Sequence, residues 1–224
     1  MKPSGFLQGI FALAACATQG ALAQGSTEGN YTDPDTGIIF ATQSSDMTEG
    51  GITLGWALPK DAATLAATEY IGLVVGGINN GSGWTGISHG GQMPEALLLL
   101  SWADGTDVRT SFRYAPNYVM PDLYTGKATL TQISSSVNET NFQLIYRCQG
   151  CWSWTQDGET GGQDTTEGTL KIGWVQSLES PNEPSDPDSP IAQHDNGEGM
   201  YAVSVAGAAQ PDYDSWVAST PSSS

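Results

Sequence analysis

Ile52-Thr53-Leu54-Gly55-Trp56-Ala57-Leu58 carries a large apolar side chain at every second position, with Thr53, Gly55 and Ala57 between them. Side chains of a strand alternate between its two faces, so Ile52, Leu54, Trp56 and Leu58 share one buried face. The same period of two recurs in Phe142, Leu144, Tyr146 and Cys148, and again in Leu170, Ile172 and Trp174. Residues 70–75 and 96–102 are continuous apolar runs, which predict strands covered on both sides. The run at 96–100 is short and Asp104-Gly105 follows as a turn, which favours strand over helix. Asp33-Pro34-Asp35-Thr36-Gly37 is a turn leading into a strand at 37–41. About ten such segments separated by turns predict an all-β fold, a two-sheet immunoglobulin-like β-sandwich.

The remaining stretches read as connections. Ala-rich 61–68 predicts a helical turn, and polar, Gly-rich 156–168 predicts a surface loop. Pro181, Pro184, Pro187 and Pro190 recur among Ser and Asp, so that segment is extended and outside any central strand. Ser219-Thr220-Pro221-Ser222-Ser223-Ser224 reads as a tail or the start of a linker, with a tail segment expected over 218–224.

Composition narrows the class. The 224 residues suit one domain, and 28 Gly with 7 Trp and 8 Tyr suit a turn-rich β fold better than a helix bundle. Acidic residues number 24 against 7 basic ones, a net charge of −17. Such a field repels phosphate backbones and anionic bilayers, so neither a nucleic acid nor a membrane is an expected partner.

The N-terminus reads as a secretory signal over 1–23: Lys2, an apolar stretch, then the small-x-small site Ala21-Leu22-Ala23. The mature domain then covers 24–217 of a secreted, extracellular protein. Cys16 leaves with the signal. Cys148 and Cys151 remain, and in an oxidising compartment a local disulfide is their default state. Asn30-Tyr31-Thr32, Asn80-Gly81-Ser82 and Asn138-Glu139-Thr140 permit N-glycosylation there.

Few residues can carry chemistry. His89 and His194 are the two histidines. A Cys2His2 zinc site would need reduced thiols, and no Gly-x-Ser-x-Gly elbow supports a hydrolase triad. Cys148-Gln149-Gly150-Cys151 is followed by Trp152, so the histidine of a c-type haem motif is missing. Met93 stands on the Gly-rich loop Gly90-Gly91-Gln92-Met93-Pro94, and His194 lies just beyond the Pro-rich segment. Neither residue alone marks a ligand.

Together these stretches resemble a known family. Residues 84–93, Trp-Thr-Gly-Ile-Ser-His-Gly-Gly-Gln-Met, then Arg113-Tyr114-Ala115, Tyr118, Tyr124-Thr125-Gly126 and Tyr146-Arg147-Cys148-Gln149-Gly150-Cys151 are similar to the cytochrome domain of fungal cellobiose dehydrogenases. The likeness continues through Ser185-Asp186-Pro187 towards His194 and covers nearly all of the mature chain. It implies a β-sandwich with a pocket at one end for one non-covalent haem b. Met93 and His194 match the family's axial ligands, Cys148 and Cys151 its disulfide, and Tyr118, with Tyr124 a second candidate, a tyrosine at the haem edge.

The implied activity is one-electron transfer. A flavin dehydrogenase is the expected donor, and a copper-dependent lytic polysaccharide monooxygenase or ferric iron the expected acceptor. Encounters at a haem edge are brief, so a monomer is expected. No Gly-x-Gly-x-x-Gly fingerprint occurs, so these residues are not expected to oxidise a sugar themselves, and enzymatic activity extends at most to ferric reduction. His89 departs from the family pattern and offers an alternative ligand pair with His194. A second reading is a haem-free carbohydrate-binding or glycoside-hydrolysing sandwich, with Glu69, Glu95, Asp104, Glu139 and Glu198 as acids and Trp84, Trp152 or Trp154 as sugar platforms.

Overall fold

The computed structural model describes residues 26–220. The expected signal segment at 1–23 and the end of the Ser-rich stretch, 221–224, lie outside them. The strands are β1 (Ser26–Thr32), β2 (Ile39–Ser45), β3 (Ile52–Pro59), β4 (Glu69–Gly77), β5 (Trp84–Ser88), β6 (Leu97–Asp104), β7 (Asp107–Tyr114) and β8 (Asp122–Leu123). They continue as β9 (Thr129–Val137), β10 (Asn141–Gln149), β11 (Ser153–Gln156), β12 (Glu159–Gly162), β13 (Thr169–Ser177), β14 (Glu198–Ser204) and β15 (Ala209–Gln210). Two short helices, α1 (Val205–Ala208) and α2 (Tyr213–Ser219), flank β15.

Two sheets face each other. One has the order β1-β2-β3-β4-β10-β9, with β15 added parallel to the end of β3; the other runs β14-β13-β5-β6-β7-β8. Ile52, Leu54, Trp56 and Leu58 of β3 point between the sheets, where Ile87, Leu97, Leu99 and Ile172 of the second sheet meet them. Each fully buried side chain of this size contributes about 1.5–3 kcal/mol by leaving water.

The apolar run in β4 is divided between two cores. Tyr70 and Val74 enter the inter-sheet core, while Ile71 and Leu73 point outward. Ala57, Ile71, Leu73 and Ile145 meet Tyr213, with Trp216 and Val217 of α2 packed against them. The outer face of the seven-stranded sheet is therefore covered by the C-terminal helix, which the sequence reading did not anticipate.

Of two connections, the first differs in detail from expectation and the second agrees with it. The expected loop at 156–168 holds the β11–β12 hairpin and a 3-10 turn at Thr165–Glu167. Asp157 and Gly158 close that hairpin with φ of 54° and 89°, as a two-residue turn of the primed type requires. The Trp154 ring lies against Gly161, where a Cβ would collide with it. At 61–68 the chain makes one α-type turn, Leu65 N–H to Asp61 O at 2.9 Å, and does not continue as a helix.

Cys148 and Cys151 form a disulfide at the end of β10, with Cα atoms 5.9 Å apart. Gly150, at φ 72°, makes the tight return between them. Closing so short a loop contributes about 2 kcal/mol through chain entropy. Replacing both cysteines by alanine should lower the unfolding free energy by about that amount, read as a fall in the urea midpoint. An unchanged midpoint would show the bridge to be energetically idle.

Candidate functional site

A cavity of about 840 Å³ opens on the outward face of the six-stranded sheet. Register fixes its floor. Gly86 of β5 pairs with Leu100 of β6 and Val175 of β13, and Ser88 pairs with Leu98 and Gly173. Directly paired residues share a face, so Gly86, Ser88, Leu98, Leu100, Gly173 and Val175 line one side of the sheet. A Cβ on Gly86 would press on Val175 and Leu100, so glycine keeps the floor flat. Three loops form the walls: 91–93, 118–121 and 191–194.

Met93 and His194 line this cavity from opposite ends of β5. The Met93 loop is tied to Ser88, whose hydroxyl donates to Gln92 O at 2.5 Å and accepts from Gly90 N–H at 3.3 Å. The His194 segment is tied to the other end. The His194 ring stands edge-on to Trp84, centroids 6.5 Å apart, and Ser177, the β13 partner of Trp84, bonds Asp195 at 3.2 Å. Trp84 and Ser88 are separated by about 13 Å of extended strand. The glycine-floored part of the cavity lies between the two.

The nitrogens of His194 are not equivalent. Nδ1 lies 3.5 Å from a carboxylate oxygen of Glu198, the first residue of β14, which leaves Nε2 as the atom for a ligand. Met93 is half-buried and packs against the main core, whereas Met120 and Met200, also in the lining, are both 51% exposed. Burial therefore singles out the Met93 thioether. The indole N–H of Trp84 is buried without a protein partner among the described residues.

The other sequence candidates separate clearly. Tyr118 stands at the cavity rim and is exposed. Tyr124 does not line the cavity; its hydroxyl accepts the Thr155 N–H at 3.2 Å beside the β11–β12 hairpin. His89 follows Ser88 by one residue and therefore turns to the opposite side, into the core. There Nδ1–H donates to Leu97 O at 3.1 Å, and Nε2 accepts from Tyr70 O–H at 2.7 Å. The Tyr146 hydroxyl lies 3.0 Å from that of Tyr70 and completes the chain. His89, Cys148 and Cys151 bring ligand-type atoms within 4.8 Å of one another, but both sulfurs are committed to the disulfide.

The carbohydrate features do not assemble. Trp84, Trp152 and Trp154 are all buried and present no sugar platform. Glu69 is bound to Arg147 and Asp104 to Arg109, while Glu198 stands beside His194. Sequence reading placed Glu198 only among candidate acids. Its spacing of four from His194 was the available signal.

The comparisons with known proteins agree with this architecture. The family model described as the cytochrome domain of cellobiose dehydrogenase matches residues 31–215. The solved cytochrome domain of Myriococcum thermophilum cellobiose dehydrogenase is 44% identical, with a TM-score of 0.84, over 88% of this chain and 97% of that one. The cytochrome b domain of pyranose dehydrogenase from Coprinopsis cinerea is 31% identical, with a TM-score of 0.72, over 86% of this chain and 95% of that one. A pyrroloquinoline quinone-dependent pyranose dehydrogenase of the same organism is 37% identical over 196 residues. The aligned region is 87% of this chain and 26% of that relative, so the chain spans about a quarter of its length. By a family match over most of its length, together with these two structural likenesses, the chain belongs to the family of cellobiose dehydrogenase cytochrome domains.

Proposed function

We propose that this chain is a secreted one-electron-transfer module that holds one haem b between Met93 and His194. It takes an electron from a sugar-oxidising dehydrogenase and delivers it to a copper-dependent polysaccharide monooxygenase or to ferric iron. The observation that carries this reading is the placement of one half-buried thioether and one imidazole at opposite ends of β5, across a flat floor kept clear by Gly86. The cavity volume also lies within the range of pre-formed small-molecule sites, about 300–1,000 Å³.

Haem iron supplies a reversible one-electron couple when bound. Met93 offers a soft thioether, a donor that favours the ferrous state. His194 offers Nε2, while Nδ1 faces the Glu198 carboxylate at 3.5 Å. Together Met93 and His194 would offer the group two donors, one from each end of β5. Leu98, Leu100, Val175 and Ile191 exclude water from the floor. Tyr118 offers a phenol at the rim, where a polar edge of the group would meet solvent.

The acidic chain favours cationic partner surfaces and hydrated ferric iron, with association that weakens as salt rises. A flavin-dependent dehydrogenase suits the donor role, as does a quinone-dependent one, the kind that the pyranose dehydrogenase relative is named as. No helix among the described residues is long and apolar enough to cross a membrane.

The test is an absorption spectrum of the haem-supplied protein, oxidised and then dithionite-reduced, beside Met93→Ala. A Soret band that shifts on reduction, with sharp α and β bands that are altered in the variant, is the expected result. A folded protein that takes up no haem would end this reading.

A further inference from the structure

Arg113 is 2% exposed, and its nearest carboxylate, on Asp188, is 3.8 Å away. Its guanidinium instead donates to neutral oxygens. Nε–H reaches Ser111 Oγ at 2.7 Å and Nη1–H reaches Pro121 O at 3.1 Å. Nη2–H reaches Pro187 O at 2.7 Å and Ser189 O at 2.9 Å.

These acceptors belong to two separate parts of the chain. Pro121 ends the 118–121 wall of the cavity. Pro187 and Ser189 immediately precede Ile191, where the wall bearing His194 begins. Register puts Arg113 opposite Leu98, a floor residue, so the guanidinium sits at the floor's edge with both walls within reach. From this geometry we infer that Arg113 is the positioning residue of the cavity, fastening both walls to the sheet through one buried cation.

The physics makes the two attachments interdependent. A buried charge is tolerated only while it is hydrogen-bonded, so release of either wall leaves donors unpaired in a dry site. A planar fork can serve carbonyls in different directions, whereas lysine presents its donors from one point. Trp102 adds one tie to the same Pro-rich segment, its indole N–H donating to Pro184 O at 2.8 Å, but it does not reach the 118–121 wall. Among the described residues, Arg113 alone hydrogen-bonds to both.

Amide hydrogen exchange on the haem-free protein tests this without relying on the proposed cofactor. In Arg113→Lys, peptides spanning 117–123 and 186–194 should both exchange at least about ten-fold faster, the effect of losing a hydrogen bond to a charged group. Peptides of β4 and β10 should change far less. Should Arg113→Lys fail to fold, Ser111→Ala removes one anchor, keeps the charge, and should produce a smaller rise confined to the same two segments. In haem-loaded protein, transfer of haem to an apomyoglobin acceptor should accelerate by a similar factor. Added methylguanidinium should slow that transfer again in Arg113→Ala. Uniform acceleration across all peptides, or a rise in one wall only, would reduce Arg113 to a general stability residue and overturn the inference. Wild-type protein that binds no haem would remove the proposed function and leave the exchange result standing.

Discussion

Replacing His194 by alanine should leave the sandwich folded and remove the six-coordinate ferric and ferrous spectra of the haem-supplied protein. The side chain lies on the cavity wall, outside both main cores, so its loss opens space without cutting into the inter-sheet packing. The far-ultraviolet circular dichroism should therefore match wild type. If His194 holds the haem as proposed, its loss should raise the haem dissociation constant at least about 100-fold, the scale of a loss of roughly 3 kcal/mol. Added imidazole should fill the vacated space and restore a low-spin spectrum, because the cavity is open on its outward side. A variant with the wild-type spectrum would exclude His194 as a ligand and direct attention to the other nitrogen and sulfur donors of the lining.

The second large effect is an acid-sensitive loss of stability centred on His89. Burial disfavours the imidazolium and lowers its pKa to about 4, against the small opposing effect of the Leu97 carbonyl. In the unfolded chain the ordinary value is about 6.5. Below that value the unfolded state takes up a proton that the folded state refuses. Stability is therefore complete above pH ~6.5, falls as pH drops, and levels off below pH ~4, with a total loss of about 3 kcal/mol.

Among the described residues no acid contributes to the His89 shift. Tyr70 and Tyr146 are its polar neighbours from β4 and β10, and burial raises both phenols, so they stay neutral throughout. Trp152 supplies an uncharged face. Asp33 acts in a lower window: its partial burial raises the pKa, but hydrogen bonds from Thr36, Tyr31 and Gln143 outweigh that and lower it. Urea midpoints measured from pH 8 to pH 4 should show the loss. His89→Phe should be less stable at neutral pH, where Tyr70 loses its acceptor, and should lose the slope between pH 6.5 and 4. A slope unchanged in that variant would assign the acid sensitivity elsewhere.

The strands were legible because period two and apolar runs are local signals, and β3, β4, β10 and β13 formed where they predicted. Helix α2 was harder to read. Tyr213, Trp216 and Val217 stand at spacings of three and four, but a single short amphipathic turn beside a Ser-rich end carries little weight. The β11–β12 hairpin was hidden by polar composition, since Trp154 is its one large apolar side chain.

The site was only partly legible. Met93 and His194 are separated by nearly half the chain, and their approach depends on β5 pairing with β13, which no local pattern encodes. His89 illustrates the opposite case. Its direction follows from strand parity alone, once Ser88 is known to face outward. The task of Arg113 left no trace in the sequence, because its partners are backbone carbonyls of remote segments.

The cavity is built on the far side of a sheet whose inner side completes the sandwich. The inter-sheet core is complete without the cavity, so under the proposed function folding is expected to precede loading, and the chain to fill after it has been prepared empty. Zinc or cobalt porphyrins could then be installed in place of the proposed haem, giving photoactive or oxygen-inert forms on an unchanged scaffold. The same separation gives evolution latitude: mutations in the walls can reshape the cavity while leaving the packing that keeps the protein folded.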